Sequence, residues 1–345
     1  MTNQQDIDTL RHIGWRGPPP AVPVARVVAQ HRAGYEVHDG SGVFAAQPDG
    51  RFLRRGLDPS LRPAVGDFVE LVLGGMPEIT HVLPRRSTLT RAAAGERYER
   101  QVIATNIDYV LVLTGLDGDF NPRRIERYLL LIEGSGAQPV VLLGKADRCP
   151  DVAQRMHALR ERLPEATPIH LLNSKDAAST KMLAPYLGPG DSAVLVGSSG
   201  AGKSTLTNTL LGEARMATSA VRRTDSRGRH TTTHRALLML PSGGCLIDTP
   251  GMRELKLTGE ESLDLFADIE ALALRCRFAD CGHESEPGCA VQAALAAGDL
   301  DAERWRNYRK LRTEREQQAA QLEARHQRKG EGRRPTRGQG RRRRE

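Results

Sequence analysis

Three things are scarce in this 345-residue sequence: cysteine, lysine and long apolar runs. Five cysteines in a chain of this length do not make the disulfide framework of a small secreted domain, which leaves metal binding or burial as their use. No apolar run approaches the roughly 18 residues of a membrane span, and the start, MTNQQDIDTL, lacks the basic-then-apolar order of an export signal. A cytoplasmic protein with no membrane partner is therefore expected. Lysine is the rarest cation, with seven against 43 arginines. Where arginine is the default, a lysine at a motif position marks a need for a compact ammonium or a slim stem.

The length predicts two domains or three, each able to bury its own core. The formal charge of +8 favours an anionic partner. From Gln327 to Glu345 nine basic residues face two acidic ones, so this end carries +7 and the rest of the chain about +1. Residues 326–345, rich in Arg with Gly and Pro, read as a disordered basic tail that binds RNA phosphates with strong salt dependence.

Residues 1–20 are polar and end in GPPP, which reads as a disordered or extended lead-in. Short alternating runs separated by Gly, Pro and Asp then fill residues 21–95, the spacing of a small all-β barrel, either SH3-like or OB. From residue 100 to 257 apolar strands alternate with helical segments, which predicts an α/β domain with a mostly parallel sheet. Residues 258–325 read as helical, with a Cys/His cluster and a long charged helix from Asp301 to Arg328.

The strongest motif is G-x-x-x-x-G-K-S, formed by Gly197, Ser198, Ser199, Gly200, Ala201, Gly202, Lys203 and Ser204, with Thr205 next. It lies between the strand SAVLV and the helix STLTNTLL, the two flanks that a phosphate-binding loop requires. Its glycines let backbone N–H groups converge on phosphates at a helix N-terminus, Lys203 adds a point charge, and Ser204 offers a hydroxyl to Mg²⁺. Asp248-Thr-Pro-Gly251 follows a strand 45 residues after Lys203. Asp248 there suits the Mg²⁺ shell and the Gly251 N–H suits a γ-phosphate. Between them, Arg229-His-Thr-Thr-Thr-His234 offers a threonine hydroxyl to the same ion while a γ-phosphate holds the loop.

Base recognition is assigned to Gly144-Lys145-Ala146-Asp147 at another strand end. Asp147 would accept guanine N1–H and N2–H, a donor pair that adenine lacks, and a buried carboxylate facing the wrong edge would be left unpaired. The stem of Lys145 would pack on the ring. The expected Asn of N-K-x-D is Gly144 here, so its loop-bracing hydrogen bonds are missing. Asn173, Ser174 and Lys175, at the next strand end, resemble the S-A-K loop whose N–H meets guanine O6. Lys145, Lys175 and Lys203 are three of the seven lysines. Asp147 precedes Lys203 by 56 residues, the reverse of the usual GTPase order. A sheet tolerates such permutation because a nucleotide site depends on which strand ends converge. Asp248 to Gly251 then lead directly into the C-terminal segment.

Cys276, Cys281, His283 and Cys289 lie within 14 residues and supply three thiolates and one imidazole, a closed set for one structural Zn²⁺.

With permuted motif order, Gly228-Arg-His-Thr-Thr-Thr233, Asp248-Thr-Pro-Gly251 and the Cys/Cys/His/Cys spacing in sequence, the chain resembles the RsgA (YjeQ) family over roughly residues 21–315. That family consists of circularly permuted GTPases of small-ribosomal-subunit maturation. The resemblance implies an N-terminal OB-fold, a central GTPase using GTP/GDP and Mg²⁺, and a C-terminal zinc domain, all gripping the 30S subunit and its 16S rRNA. It implies a catalytic role for His230 and a switch role for Thr232, which would also ligate Mg²⁺. Met252 stands where Ras-like enzymes keep the water-positioning Gln, so slow intrinsic turnover, stimulated by the subunit and coupled to release, is expected of a monomer. The competing reading is an RNA-binding scaffold with a weak or vestigial nucleotide site.

Overall fold

The computed structural model describes residues 6–54, 56–92, 100–213, 235–249 and 256–331. Alternating burial closes a barrel from strands β1 (Val24–His31), β2 (Gly34–His38), β3 (Val43–Pro48), β4 (Phe68–Val72) and β5 (Glu78–Val82). They pair in the order β1-β2-β3-β5-β4, and β4 returns to β1. A parallel β3–β5 pair among antiparallel neighbours is the OB arrangement, which settles the choice left open by length alone. Val27, Val37, Val69 and Ile79 fill its interior.

The lead-in corrects an expectation. Residues 7–12 form a helix, α1 (Ile7–His12), whose cap Asp6 accepts the Asp8 N–H at 3.0 Å. Leu10 and Ile13, three apart and so on one face, are buried against Val24 and Phe68, and Trp15 meets the Phe68 ring edge-on. Polar composition hid this short apolar face. Arg26, fully buried, donates to the carbonyls of Ile13 (2.5 Å), Gly66 (3.2 Å) and Asn106 (2.8 Å) and to Ser192 Oγ (2.8 Å). Burial lowers its pKa; these acceptors offset a desolvation that would otherwise be prohibitive. One guanidinium thereby ties the lead-in, the barrel and the central sheet together.

A hairpin, β6 (Thr88–Ala92) and β7 (Arg100–Thr105), follows the barrel. Leu89, Ile103 and Ala104 from its two strands pack with Val110, Val112 and Leu131. Then come β8 (Tyr109–Gly115), α2 (Pro122–Ile132), β9 (Gln138–Gly144), α3 (Val152–Arg160), β10 (Ile169–Leu172), α4 (Ala177–Thr180), β11 (Ser192–Gly197), α5 (Lys203–Leu211), β12 (Ala236–Met239) and β13 (Cys245–Asp248). Their sheet runs β10-β9-β8-β11-β13-β12, parallel except for β12. Its strands are near-continuous apolar runs because helices cover a parallel sheet on both faces. Ala236 of β12 pairs with Ala29 of β1, so barrel and central sheet are hydrogen-bonded into one.

Helices α6 (Ala267–Ala273), α7 (Ala290–Ala297) and α8 (Ala302–Glu331) follow among the described residues. Ile269, Val291, Trp305, Tyr308 and Leu311 share a core with Val110 of β8 and Tyr128 of α2. Polar ties reinforce the junction: Glu126 of α2, fully buried, accepts from Arg304 at 3.0 Å and from Asn307 of α8. Arg127 forms a two-pronged pair with Glu314 (2.8 and 2.7 Å). Farther along α8, Arg325 donates to Asp58 of the barrel at 3.2 Å. The basic tail lies outside the described residues from 332 onward.

Candidate functional site

Loops leaving β8, β9, β10, β11 and β13 all open at the carboxyl edge of the parallel sheet. Chain growth reverses there: β8 to β10 build outward on one side, and β11 and β13 lie on the other. The β8/β11 crevice is the switch point at which open α/β sheets take ligands.

Gly197, Gly200 and Gly202 adopt φ of +148°, +88° and +108°. A Cβ at Gly197 would lie 2.2 Å from the Leu113 carbonyl oxygen, so the close approach of β11 to β8 requires glycine. Lys203 opens α5 and is buried, its ammonium donating to the carbonyls of Gly197 (2.8 Å) and Ser198 (2.7 Å). Ser199 and Gly200 are exposed, Ala201 is buried, and Ser204 and Thr205 stand half-buried in the first turn of α5.

Lys145 takes a left-handed φ of +59° just after β9. Its ammonium donates to Asp117 Oδ2 (2.8 Å) and to the Gly200 carbonyl (2.8 Å), joining three strand-end loops. Ala146 is half-buried, whereas Asp147 is exposed, with Arg148 at 3.9 Å. The buried carboxylate expected at Asp147 is thus exposed here, and discrimination against adenine would require the base itself to cover it. On the next loop the Asn173 side chain accepts the Lys175 N–H (3.1 Å), and the Ser174 carbonyl accepts from Thr209 of α5 (2.7 Å). The loops after β9 and β10 are therefore joined to the Gly197–Ser204 loop and to the helix that follows it.

Asp248 ends β13 beside them, nearly buried, with Oδ1 lacking a hydrogen-bond partner among the described residues. Burial pushes its pKa up to about 6, opposed by the charge of Lys203 and the Thr249 N–H. An orphaned carboxylate oxygen next to the phosphate-loop lysine fits the shell of a divalent cation. His230, Thr232 and Gly251 lie outside the described residues.

Cys276, Cys281, His283 and Cys289 converge with their ligand atoms all within 4.8 Å of one another. His283 Nδ1 is 3.5 Å from the sulfurs of Cys276 and Cys289, which are 3.9 Å apart. Tetrahedral arms of about 2.3 Å to sulfur and about 2.0 Å to nitrogen demand about these spacings, so the donor set fits one Zn²⁺. Trp305 lies edge-on to the His283 ring at 5.7 Å, Gln292 donates to the His283 carbonyl (2.6 Å), and Cys289 caps α7. Glu286, which motif reading passed over, folds the turn by accepting N–H bonds from Gly282, Glu284 and Ser285.

Asp117 and Asp119 were also missed. Ser198 Oγ donates to Asp119, Arg124 of α2 pairs with Asp119 at 2.6 Å, and Asp117 accepts Lys145. Their only signal is an Asp-Gly-Asp directly after a buried strand.

The family model of the RsgA GTPase matches residues 82–258. The small ribosomal subunit biogenesis GTPase RsgA of Xanthomonas axonopodis pv. citri is 54% identical, with 96% of each chain covered. That of Xanthomonas euvesicatoria pv. vesicatoria is 53% identical over the same shares. The chain belongs to the RsgA GTPase family. Among solved structures, YjeQ from Thermotoga maritima superposes with a TM-score of 0.59 at 26% identity, covering 84% of this chain and 96% of that one. YloQ, a circularly permuted GTPase, superposes with a TM-score of 0.57 at 24% identity over 86% and 95%, and supports the fold. The RsgA match begins at the last strand of the barrel and ends after β13, so it spans the hairpin and all the strand-end loops. Membership implies GTP/GDP and Mg²⁺. No helix among the described residues is long and apolar enough to cross a membrane.

Proposed function

We propose that this chain hydrolyses GTP to GDP and phosphate on the small (30S) ribosomal subunit, assists its late maturation, and leaves when hydrolysis is complete. The names of its relatives support that partner; contacts with 16S rRNA, a monomeric state and a cytoplasmic location complete the reading. The proposed division is an OB-fold RNA-binding domain (21–95), a permuted GTPase domain (100–257), a zinc-binding helical domain (258–325) and a basic tail (326–345).

One observation carries the reading: the Gly197–Ser204 loop, the Lys145–Asp147 loop and Asp248 share one sheet edge, with Lys145 bonded to the Gly200 carbonyl. Lys203 would exchange its two loop carbonyls for β- and γ-phosphate oxygens while the loop N–H groups face the same anion. Ser204, Thr232 and Asp248 would hold Mg²⁺, which when bound neutralises charge on the phosphates. Asp147 would accept the guanine N1–H and N2–H, the loop of Asn173, Ser174 and Lys175 would offer N–H groups to O6, and Gly251 its N–H to the γ-phosphate. His230 would orient the attacking water. Cys276, Cys281, His283 and Cys289 would hold a structural Zn²⁺ without hydrolytic work, since four protein ligands leave no open position.

The test is phosphate release from GTP and ATP, with and without small ribosomal subunits, with Lys203→Ala as the blank. GTP-specific release that rises sharply with subunits is expected. Release indifferent to subunits would overturn the partner, and no release from either nucleotide would leave an RNA-binding scaffold.

A further inference from the structure

We infer that Asp117 is a positioning residue that holds the base-reading loop on the phosphate loop, the bracing that an Asn at position 144 supplies in N-K-x-D. The inference rests on the GTP-binding reading above.

At Gly144 the motif side chain is absent, yet space for one remains: a Cβ there would have Leu113 Cδ1 at 3.6 Å and Ser174 Oγ at 3.8 Å as its nearest neighbours. The loops around it are joined instead through Lys145. Its ammonium takes Asp117 Oδ2 on one side and the Gly200 carbonyl on the other, both at 2.8 Å. Without the carboxylate, the Lys145 ammonium would keep only the second of these two bonds and lose its anchor on the loop after β8.

The loop that presents Asp117 is itself fixed. Gly115 has no side chain, and a Cβ there would come within 2.6 Å of Asp117 Oδ1 and 3.2 Å of Lys145 Cδ, so the ion pair occupies the space that Gly115 leaves. Asp117 Oδ1 accepts the Asp119 N–H (3.2 Å), and Arg155 of α3 donates to the carbonyls of Leu116 (3.1 Å) and Asp117 (3.4 Å). The bond from Lys145 is the chief reason that the Asp117 carboxyl titrates below its ordinary range; it is ionised at neutral pH.

Lys145 lies two residues before Asp147 in a left-handed conformation, so its anchor determines where the Asp147 carboxylate stands relative to the phosphate loop. Loss of Asp117 should therefore loosen guanine recognition and spare the chemical step, which Lys203 and Asp248 serve from other strands.

The experiment measures affinity for a fluorescent GDP, and kcat and KM for GTP and ATP, in the full chain. The proteins are wild type, Asp117→Ala, Asp117→Asn, Gly144→Asn and the Asp117→Ala/Gly144→Asn double variant. A half-exposed ion pair of about 1 kcal/mol corresponds to roughly fivefold in affinity. Asp117→Ala is expected to weaken GDP binding by about that factor, raise KM for GTP, narrow the preference for GTP over ATP and leave kcat within twofold. Asp117→Asn, which keeps an acceptor without the charge, should fall between. The added Gly144→Asn should restore most of the lost affinity, a rescue that a merely destabilised fold would not show. Unchanged GDP affinity in Asp117→Ala, or a loss that Gly144→Asn leaves unrepaired, overturns the positioning role. Failure of the wild type to bind GDP overturns the underlying GTP reading, and this inference with it.

Discussion

Replacing Asp248 with Asn should remove a pH-dependent penalty from the nucleotide-free protein, so that the variant gains stability relative to wild type as pH rises, while abolishing its Mg²⁺-dependent binding. Burial raises this carboxyl from 3.8 to about 6, because Oδ1 has no partner among the described residues and Lys203 offsets only part of the desolvation. With its pKa at about 6, ionising Asp248 in the folded state costs about 3 kcal/mol. The sign follows from linkage. Between the two pKa values the native state binds more protons than the unfolded state, so stability falls as pH rises from about 4 and levels off above the folded pKa near 6. Of that cost, about 2 kcal/mol accrues between pH 4 and pH 7. Asn cannot ionise, so whatever its buried amide costs is constant with pH. Urea unfolding of wild type and Asp248→Asn at pH 4, 5, 6 and 7 measures this. The stability difference should move in favour of the variant by about 2 kcal/mol across the range. Parallel pH profiles would refute the reasoning, because they would mean that Asp248 ionises without penalty and is already satisfied.

Arg304→Leu leaves Glu126 buried without its main cationic partner, which should cost about 3–5 kcal/mol in urea unfolding, whereas Arg304→Leu combined with Glu126→Gln should recover much of it; equal losses in the single and double variants would mean that Glu126 is not the group at stake. Elemental analysis should find one zinc per chain, and chelation should lower the unfolding midpoint by more than about 5 °C, since a chain of this size loses about 1–2 °C per kcal/mol and a structural zinc contributes about 10 kcal/mol. Cys276→Ala should match the chelated protein, and an unchanged midpoint on chelation would remove zinc from the fold. Gly197→Ala forces a Cβ against the Leu113 carbonyl at 2.2 Å. Fluorescent GDP binding should fall beyond detection, and retention of wild-type affinity would show that β11 and β8 separate readily there.

Legibility in the sequence tracked how local the physics is. The glycine-rich loop was readable because Gly197, Gly200, Gly202 and Lys203 fall within eight residues between a strand and a helix, and the Cys/His cluster because its four donors fall within one turn-rich stretch. The strands of the central sheet were readable as apolar runs, and the α/β alternation implied parallel pairing. What escaped depends on partners distant in sequence. Leu10 and Ile13 gain meaning only once Phe68 covers them, and Arg26 only once Ile13, Asn106 and Ser192 surround it. The OB topology rests on a β3–β5 pairing of just two register positions, which no period in the sequence encodes. Asp117 was invisible for the same reason: its role resides in Lys145 and Gly200, 28 and 83 residues away.

Permutation changes what a GTPase sheet can be connected to. With β13 near the end of the domain, the segment after Asp248 runs into the C-terminal helices, and the first described residues beyond it are already engaged. Lys256 pairs with Ala92 of the hairpin, and the Leu257 N–H donates to Glu314 of α8 at 3.1 Å. Glu314 also holds Arg127 of α2, and α2 begins beside Asp119, which touches Ser198 of the phosphate loop. The Gly197–Ser204 loop, through Asp119 and α2, and Leu257, in the chain beyond β13, thus meet at a single carboxylate on α8. That helix reaches Asp58 of the barrel through Arg325. The helix that takes these contacts thus also lies against the barrel. In an unpermuted sheet the strand bearing the Asp-x-x-Gly aspartate continues into the base-reading half of the domain and has no such exit.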